Sequence, residues 1–262
     1  SSLLMATSVL VVSVGLVLLA LWSFAGVWRF PDALPRVWTL RSWAGEASNL
    51  WATGLRATII ALSAATLSLA LVLASLENEY RNNRRATRLA WWTIYVPLLV
   101  PQIAFVGGLS VLFIRFAIDG TLWAVILVHM IFTYPYIYLT LSDPWNTFDT
   151  RYLSVARSLG KSVNRAFWTI RLPILLRPVL AAFALGFAVS IAQYLPTLLI
   201  GAGRQPTLTT EAIALASGGN RRVIGTYALV QTLLPLIVFA LANLVPKLLW
   251  ANRAGLQVRS VE

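Results

Sequence analysis

Runs of twenty or more mostly apolar residues recur along this chain, and each needs a solvent other than water on its flanks. A helix crossing about 30 Å of hydrocarbon at 1.5 Å per residue takes roughly 20 such residues, and a backbone in lipid must satisfy its own hydrogen bonds. By that rule six spans are expected: approximately Leu3 to Phe24, Leu50 to Leu76, Leu89 to Ile114, Leu122 to Leu141, Val179 to Gly201 and Ile224 to Trp250. Of 262 residues, 58% are hydrophobic and 11% charged, with a mean hydropathy of +0.75, which exceeds what one globular core would hide. The expected fold is an all-α membrane protein, one transmembrane domain over residues 1–262. The first apolar stretch lacks a charged leader and is longer than a signal-peptide core, so it reads as a retained span. The chain opens at Ser1, which processing or excision from a longer polypeptide would explain.

Charge then sets an expected orientation. Arg81, Arg84, Arg85 and Arg88 share one side with Arg151, Arg157, Lys161, Arg165, Arg171, Arg177, Lys247, Arg253 and Arg259. The other side carries Arg29, Arg36, Arg41, Arg115, Arg204, Arg221 and Arg222, and the bias makes the first side, with both termini, cytoplasmic. The net charge of +12 falls in clusters between apolar runs without interleaved aromatics, so nucleic acid is not an expected partner. The absence of cysteine excludes disulfides, a thiolate nucleophile and thiolate metal sites. Trp22, Trp28, Trp43, Trp51, Trp91, Trp92, Trp123 and Trp250 stand near span ends, where they read as headgroup anchors rather than a ligand cage. Two alanine stripes, Ala57, Ala61, Ala65 and Ala184, Ala188, Ala192, suit close helix packing in lipid, although alanine is common here.

The connection 142–178 is too long for a turn. Asp143-Pro144 suits a helix start, and Tyr152, Val155, Ala156 and Leu159 follow at i, i+3, i+4, i+7. Gly160 suits a left-handed cap, a second helical stretch is expected from Ser162 to Ile170, and Leu172-Pro173 is expected to turn the chain back to the bilayer. The apolar stripe either packs on the chain's own spans and the headgroups or docks a soluble partner.

Ala156-Arg-Ser-Leu-Gly160, nine residues, then Ile170-Arg-Leu172-Pro173 resembles the EAA loop of binding-protein-dependent ABC importer permeases. Ser154 and Val155 stand where that pattern has Glu and its first Ala. The resemblance implies six spans with a cytoplasmic helix-turn-helix coupling loop between helices 4 and 5. It also implies a non-enzymatic transport subunit in the bacterial inner membrane. Tyr152, Val155, Ala156, Leu159, Gly160, Ile170, Leu172 and Pro173 would then dock a cytoplasmic ABC ATPase dimer that carries the ATP-Mg, no cofactor being expected in this chain. Further implied partners are a second permease half, fused or separate, a solute-binding protein and membrane lipid. Pro206-Thr-Leu-Thr-Thr-Glu211 resembles the outward loop of the iron(III), thiamine and polyamine subgroup.

Gly160-Lys161-Ser162 imitates the end of a phosphate-binding loop, but Val155 stands where its first Gly belongs. His129, the only histidine, has no second ligand nearby in sequence and is expected to make an interhelical hydrogen bond. No Asp or Glu falls in the middle of an expected span, which disfavours the alternative of an autonomous ion-coupled secondary transporter or channel. A membrane-embedded enzyme would need clustered Asp, His or Ser. Pro97, Pro101, Pro135, Pro196 and Pro235 are expected to interrupt helices, and Gln193, Tyr194, Pro196 and Tyr134 either line a solute pathway or serve ordinary packing.

Overall fold

The computed structural model describes residues 2–28, 32–83 and 87–249. Arg29, Arg84, Arg85, Trp250, Arg253 and Arg259, to which the sequence assigns orienting or anchoring roles, lie outside them. In chain order the helices are α1 (Ser2–Phe24), α2 (Arg41–Arg81), α3 (Arg88–Leu99), α4 (Gln102–Arg115), α5 (Leu122–Asn146), α6 (Arg151–Ser158) and α7 (Val163–Ala166). A π-helical turn (Phe167–Arg171) leads into α8 (Leu172–Ile174), followed by α9 (Leu176–Ile191), α10 (Leu195–Gly201), α11 (Leu208–Ala216) and α12 (Arg221–Leu249). Among the described residues four helices, α1, α2, α5 and α12, are long and apolar enough to cross a membrane, and up to six crossings result if each of two bent pairs is one span.

The breaks have local causes. Val100 precedes Pro101, whose ring disfavours helical backbone at that position; Val100 is extended, α3 stops, and α4 leaves at 107°. The expected third span, Leu89 to Ile114, is therefore two helices. The expected fifth span, Val179 to Gly201, is likewise divided, because α9 ends at Ile191 and α10 begins at Leu195 with Pro196 in its first turn. The second span is longer than its apolar stretch: α2 has 41 residues, about twice the number that crosses the hydrocarbon. Pro206 to Glu211 is not simply a loop, since Thr207 and Thr210 form a capping box that starts α11.

The chain divides into two compact units. The first comprises Ser1–Ile60, Val106–Val125 and Ile191–Leu234. Its interior joins apolar residues such as Ile60, Val125, Ile200 and Leu208 to buried threonines, and polar bonds tie its loops. Gly120 N donates to Ile200 O at 2.8 Å, Arg56 Nη1 to Pro206 O at 3.2 Å, and the buried Tyr227 hydroxyl to Glu46 Oε2 at 3.1 Å.

The second unit comprises Ala61–Phe105, Ile126–Ser190 and Pro235–Glu262. Ala61 and Ala65 are buried here, as Ala57 is in the first unit. Of the second alanine stripe, Ala184 is buried, Ala188 half-buried and Ala192 exposed. Close approach on α9 comes also from Gly186, where a Cβ would stand 2.5 Å from Ile137 Cδ1. His129 Nδ1 lies 2.8 Å from Ser190 Oγ, the interhelical bond expected of it.

Candidate docking segment

Residues 142–178 belong wholly to the second unit. Asp143-Pro144 does not start a helix; α5 runs through it to Asn146, and the Asp143 carbonyl accepts from Thr147 N at 3.0 Å. The acid at the new helix start is Asp149, whose Oδ1 accepts from Arg151 N at 2.9 Å. Helix α6 ends on Gly160 at φ +79, with Gly160 N on Arg157 O at 2.9 Å and Lys161 N on Ala156 O at 3.0 Å. That paired pattern closes a helix through a left-handed residue, which glycine adopts without a Cβ penalty. Ser162 Oγ then accepts from Arg165 N at 3.3 Å and starts α7, so the sequence resembling a phosphate loop is a helix stop followed by a helix start.

The second helical stretch departs from expectation. After one turn of α7 the backbone widens, and Leu172 N reaches back five residues to Phe167 O. Leu172-Pro173 does not turn the chain, because proline fits the first turn of the helix it begins. The 75° bend falls one turn later, between Ile174 and Leu176.

The apolar face of α6 is also divided. Leu153 and Ala156, 6% and 3% exposed, turn inward against the core formed with Leu76, Leu141, Trp145 and Leu175. Tyr152, Val155 and Leu159 turn outward and are 57%, 60% and 77% exposed. Leu153 was absent from the expected stripe; its i, i+3 spacing to Ala156 was the available signal. With Ala156 and Ile170 as further lining, the outward residues border a groove of about 530 Å³, and Asp149, Arg151 and Lys161 also contribute to its walls. Leu172 and Pro173 are half-buried beside it in sequence, and Ser154 is exposed, its hydroxyl donating to Thr150 O at 3.4 Å.

Arg171, read from the sequence as an orienting surface charge, is 2% exposed. Its Nη1 donates to Glu77 Oε2 at 3.0 Å and its Nη2 to Trp145 O at 3.3 Å. The guanidinium carbon stands 4.1 Å from the Trp145 ring centre, 4.3 Å from Tyr80 and 5.3 Å from Phe148, within range for cation–π attraction. Glu77 Oε1 also accepts from Arg81 Nε at 2.7 Å, and Arg81 Nη1 reaches Asn164 Oδ1 at 2.8 Å. The buried pair Arg171 and Glu77 was missed because residues 94 apart carry no local signal of pairing.

The candidate pathway residues do not fall in one unit. Gln193 and Pro196 are buried and Tyr194 half-buried in the first, where the Gln193 carbonyl accepts from Thr197 Oγ1 at 2.9 Å. Tyr134 belongs to the second, its hydroxyl 3.3 Å from Ser75 Oγ and its ring centre 6.1 Å from that of Tyr138. Among the described residues no group of three or more His, Cys, Asp or Glu is placed to hold a metal ion.

Long apolar helices with a short amphipathic segment between two of them define a multi-pass helical membrane protein. Residues 67–251 match the family described as binding-protein-dependent transport system inner membrane component, and the chain belongs to that family. It is 43% identical over 189 residues to the inner membrane ABC transporter permease protein YnjC of Escherichia coli (strain K12), across 72% of this chain and 36% of that one. It is 25% identical over 188 residues to the spermidine/putrescine transport system permease protein PotC of Haemophilus influenzae, across 72% and 73%. To the molybdenum transport system permease protein ModB of Mycobacterium tuberculosis it is 29% identical over 156 residues, across 54% and 56%. The match thus spans about a third of the length of YnjC.

Proposed function

We propose that this chain is a transmembrane permease subunit of an ATP-driven importer, that it forms a solute path with a second permease half, and that it docks a cytoplasmic ATPase through residues 142–178. The observation that carries the docking reading is the division of α6. Leu153 and Ala156 anchor the helix to the second unit while Tyr152, Val155 and Leu159 are left bordering a groove. A segment that needed only its own bundle would turn its largest apolar residues inward, because burying each stabilises by about 1.5–3 kcal/mol. Aromatic and aliphatic anchors with charged residues alongside suit the cleft of a soluble protein.

In this reading α3 with α4 forms one span and α9 with α10 another, giving six crossings with α1, α2, α5 and α12, and the basic residues on the docking side make that side cytoplasmic. ATP binding and hydrolysis occur on the partner dimer. Its closure displaces the docked segment and biases inward-open against outward-open arrangements. A separate solute-binding protein delivers the cargo, and Gln193, Tyr194, Pro196 and Tyr134 contribute to its path. The family match and the scarcity of intramembrane carboxylates in the sequence both weigh against an autonomous carrier. Co-purification from membranes tests the docking reading. The chain should retain an ATPase, and a Leu159→Asp variant should lose it while still inserting. Equal retention by both would refute the reading.

A further inference from the structure

Docking explains the groove but not the charged cluster buried in the same unit. Arg171 follows Ile170, which lines the groove, yet its own side chain is enclosed by Tyr80, Trp145 and Phe148 and paired with Glu77. A buried ion pair is a poor device for stability alone, since desolvating both charges offsets most of their attraction. Its distinctive property is direction. Apolar burial is non-directional, whereas a planar guanidinium held by a carboxylate and stacked on rings loses both interactions if it shifts. This cluster fixes three stretches to one another: Glu77, Tyr80 and Arg81 at the end of α2, Trp145 and Phe148 at and just after the end of α5, and Arg171 with Asn164 in the docking segment. The π-helical turn ends on Arg171 itself, while Trp168 within the same turn is exposed.

We infer that Arg171 is a positioning residue for energy coupling: through Glu77 it makes the docking segment and the C-terminal end of α2 move as one body when the ATPase closes. The inference rests on the docking reading and adds a route to it. Displacement reaches the membrane through α2 as well as along the chain into α9.

The chain has no cysteine, so Asn82→Cys and Ser158→Cys, both exposed positions, give it just two spin-label sites, one immediately after α2 and one on α6, in an assembly whose partner subunits are made cysteine-free. The distance distribution between them is measured by pulsed electron spin resonance in the assembled transporter in nanodiscs, first nucleotide-free and then trapped with Mg-ATP and vanadate. In the parent the two distributions should coincide. Arg171→Met, which keeps much of the length and removes the charge, should leave the ATPase bound but separate the trapped distribution from the nucleotide-free one. It should also broaden the trapped distribution at least twofold. Glu77→Gln should produce the same slip, and it decides the matter if Arg171→Met fails to assemble. A residue that only stabilised the fold would lower the unfolding temperature and leave the two distributions coincident. Coincidence in both variants, or separation in the parent, overturns the inference. Failure of docking itself shows differently, as equal ATPase retention by the parent and Leu159→Asp.

Discussion

Leu153 and Leu159 are chemically identical, lie on or at the end of one short helix, and should report opposite things when cut to alanine. Leu159 is 77% exposed, so shortening it removes little from the folded chain, and its stability should stay within about 0.5 kcal/mol of the parent. Fully burying a leucine is worth about 1.5–3 kcal/mol. Removing all but Cβ of a side chain that is exposed in the free chain and buried on docking should cost about 1.5 kcal/mol of binding, or about tenfold in Kd. Leu153 is 6% exposed and packs with Leu76, Trp145 and Leu175, so Leu153→Ala leaves a cavity and costs about 2–5 kcal/mol of folding stability. The assay pairs biolayer interferometry of nanodisc-held permease against the purified ATPase with intrinsic-fluorescence thermal unfolding of the permease alone. Leu159→Ala should lower affinity without lowering the unfolding temperature, and Leu153→Ala should lower the unfolding temperature. Unchanged affinity in Leu159→Ala, or an unfolding temperature as depressed as in Leu153→Ala, would refute the division of α6 into anchor and docking faces.

Gly160→Ala meets no atom within 4 Å, so its cost is the left-handed backbone alone, about 1–2 kcal/mol. Weakened ATPase binding, with less weakening for Gly160→Asn, should be read in the same interferometry. Gly186→Ala would press a methyl to 2.5 Å from Ile137 Cδ1 and should destabilise by about 1–3 kcal/mol, seen as a lower unfolding temperature and relieved in part by Ile137→Val, which removes Cδ1 but keeps Cγ1 at 2.8 Å. Tyr227→Phe removes the hydroxyl that donates to Glu46 and should cost about 1 kcal/mol in the same thermal assay; a Glu46→Gln background should shrink that loss.

The membrane class was legible from the sequence because a run of twenty apolar residues has one physical solution wherever it occurs. Gly160 was equally legible, since a glycine following an amphipathic stretch has a local use as a left-handed cap, and so was the short amphipathic helix between α5 and α9. Partner choice was not. Tertiary structure decided that the chain bends by 107° at Val100-Pro101 between two helices, that α5 continues through Asp143-Pro144, and that Leu153 rather than Tyr152 faces the core. It alone took Arg171 from an orienting charge to a buried ion pair with Glu77. Solvent preference and local backbone geometry act within a few residues and can be read along a line. Which charge meets which, and which of two apolar faces is covered, depends on segments that only the folded chain brings within a few ångströms.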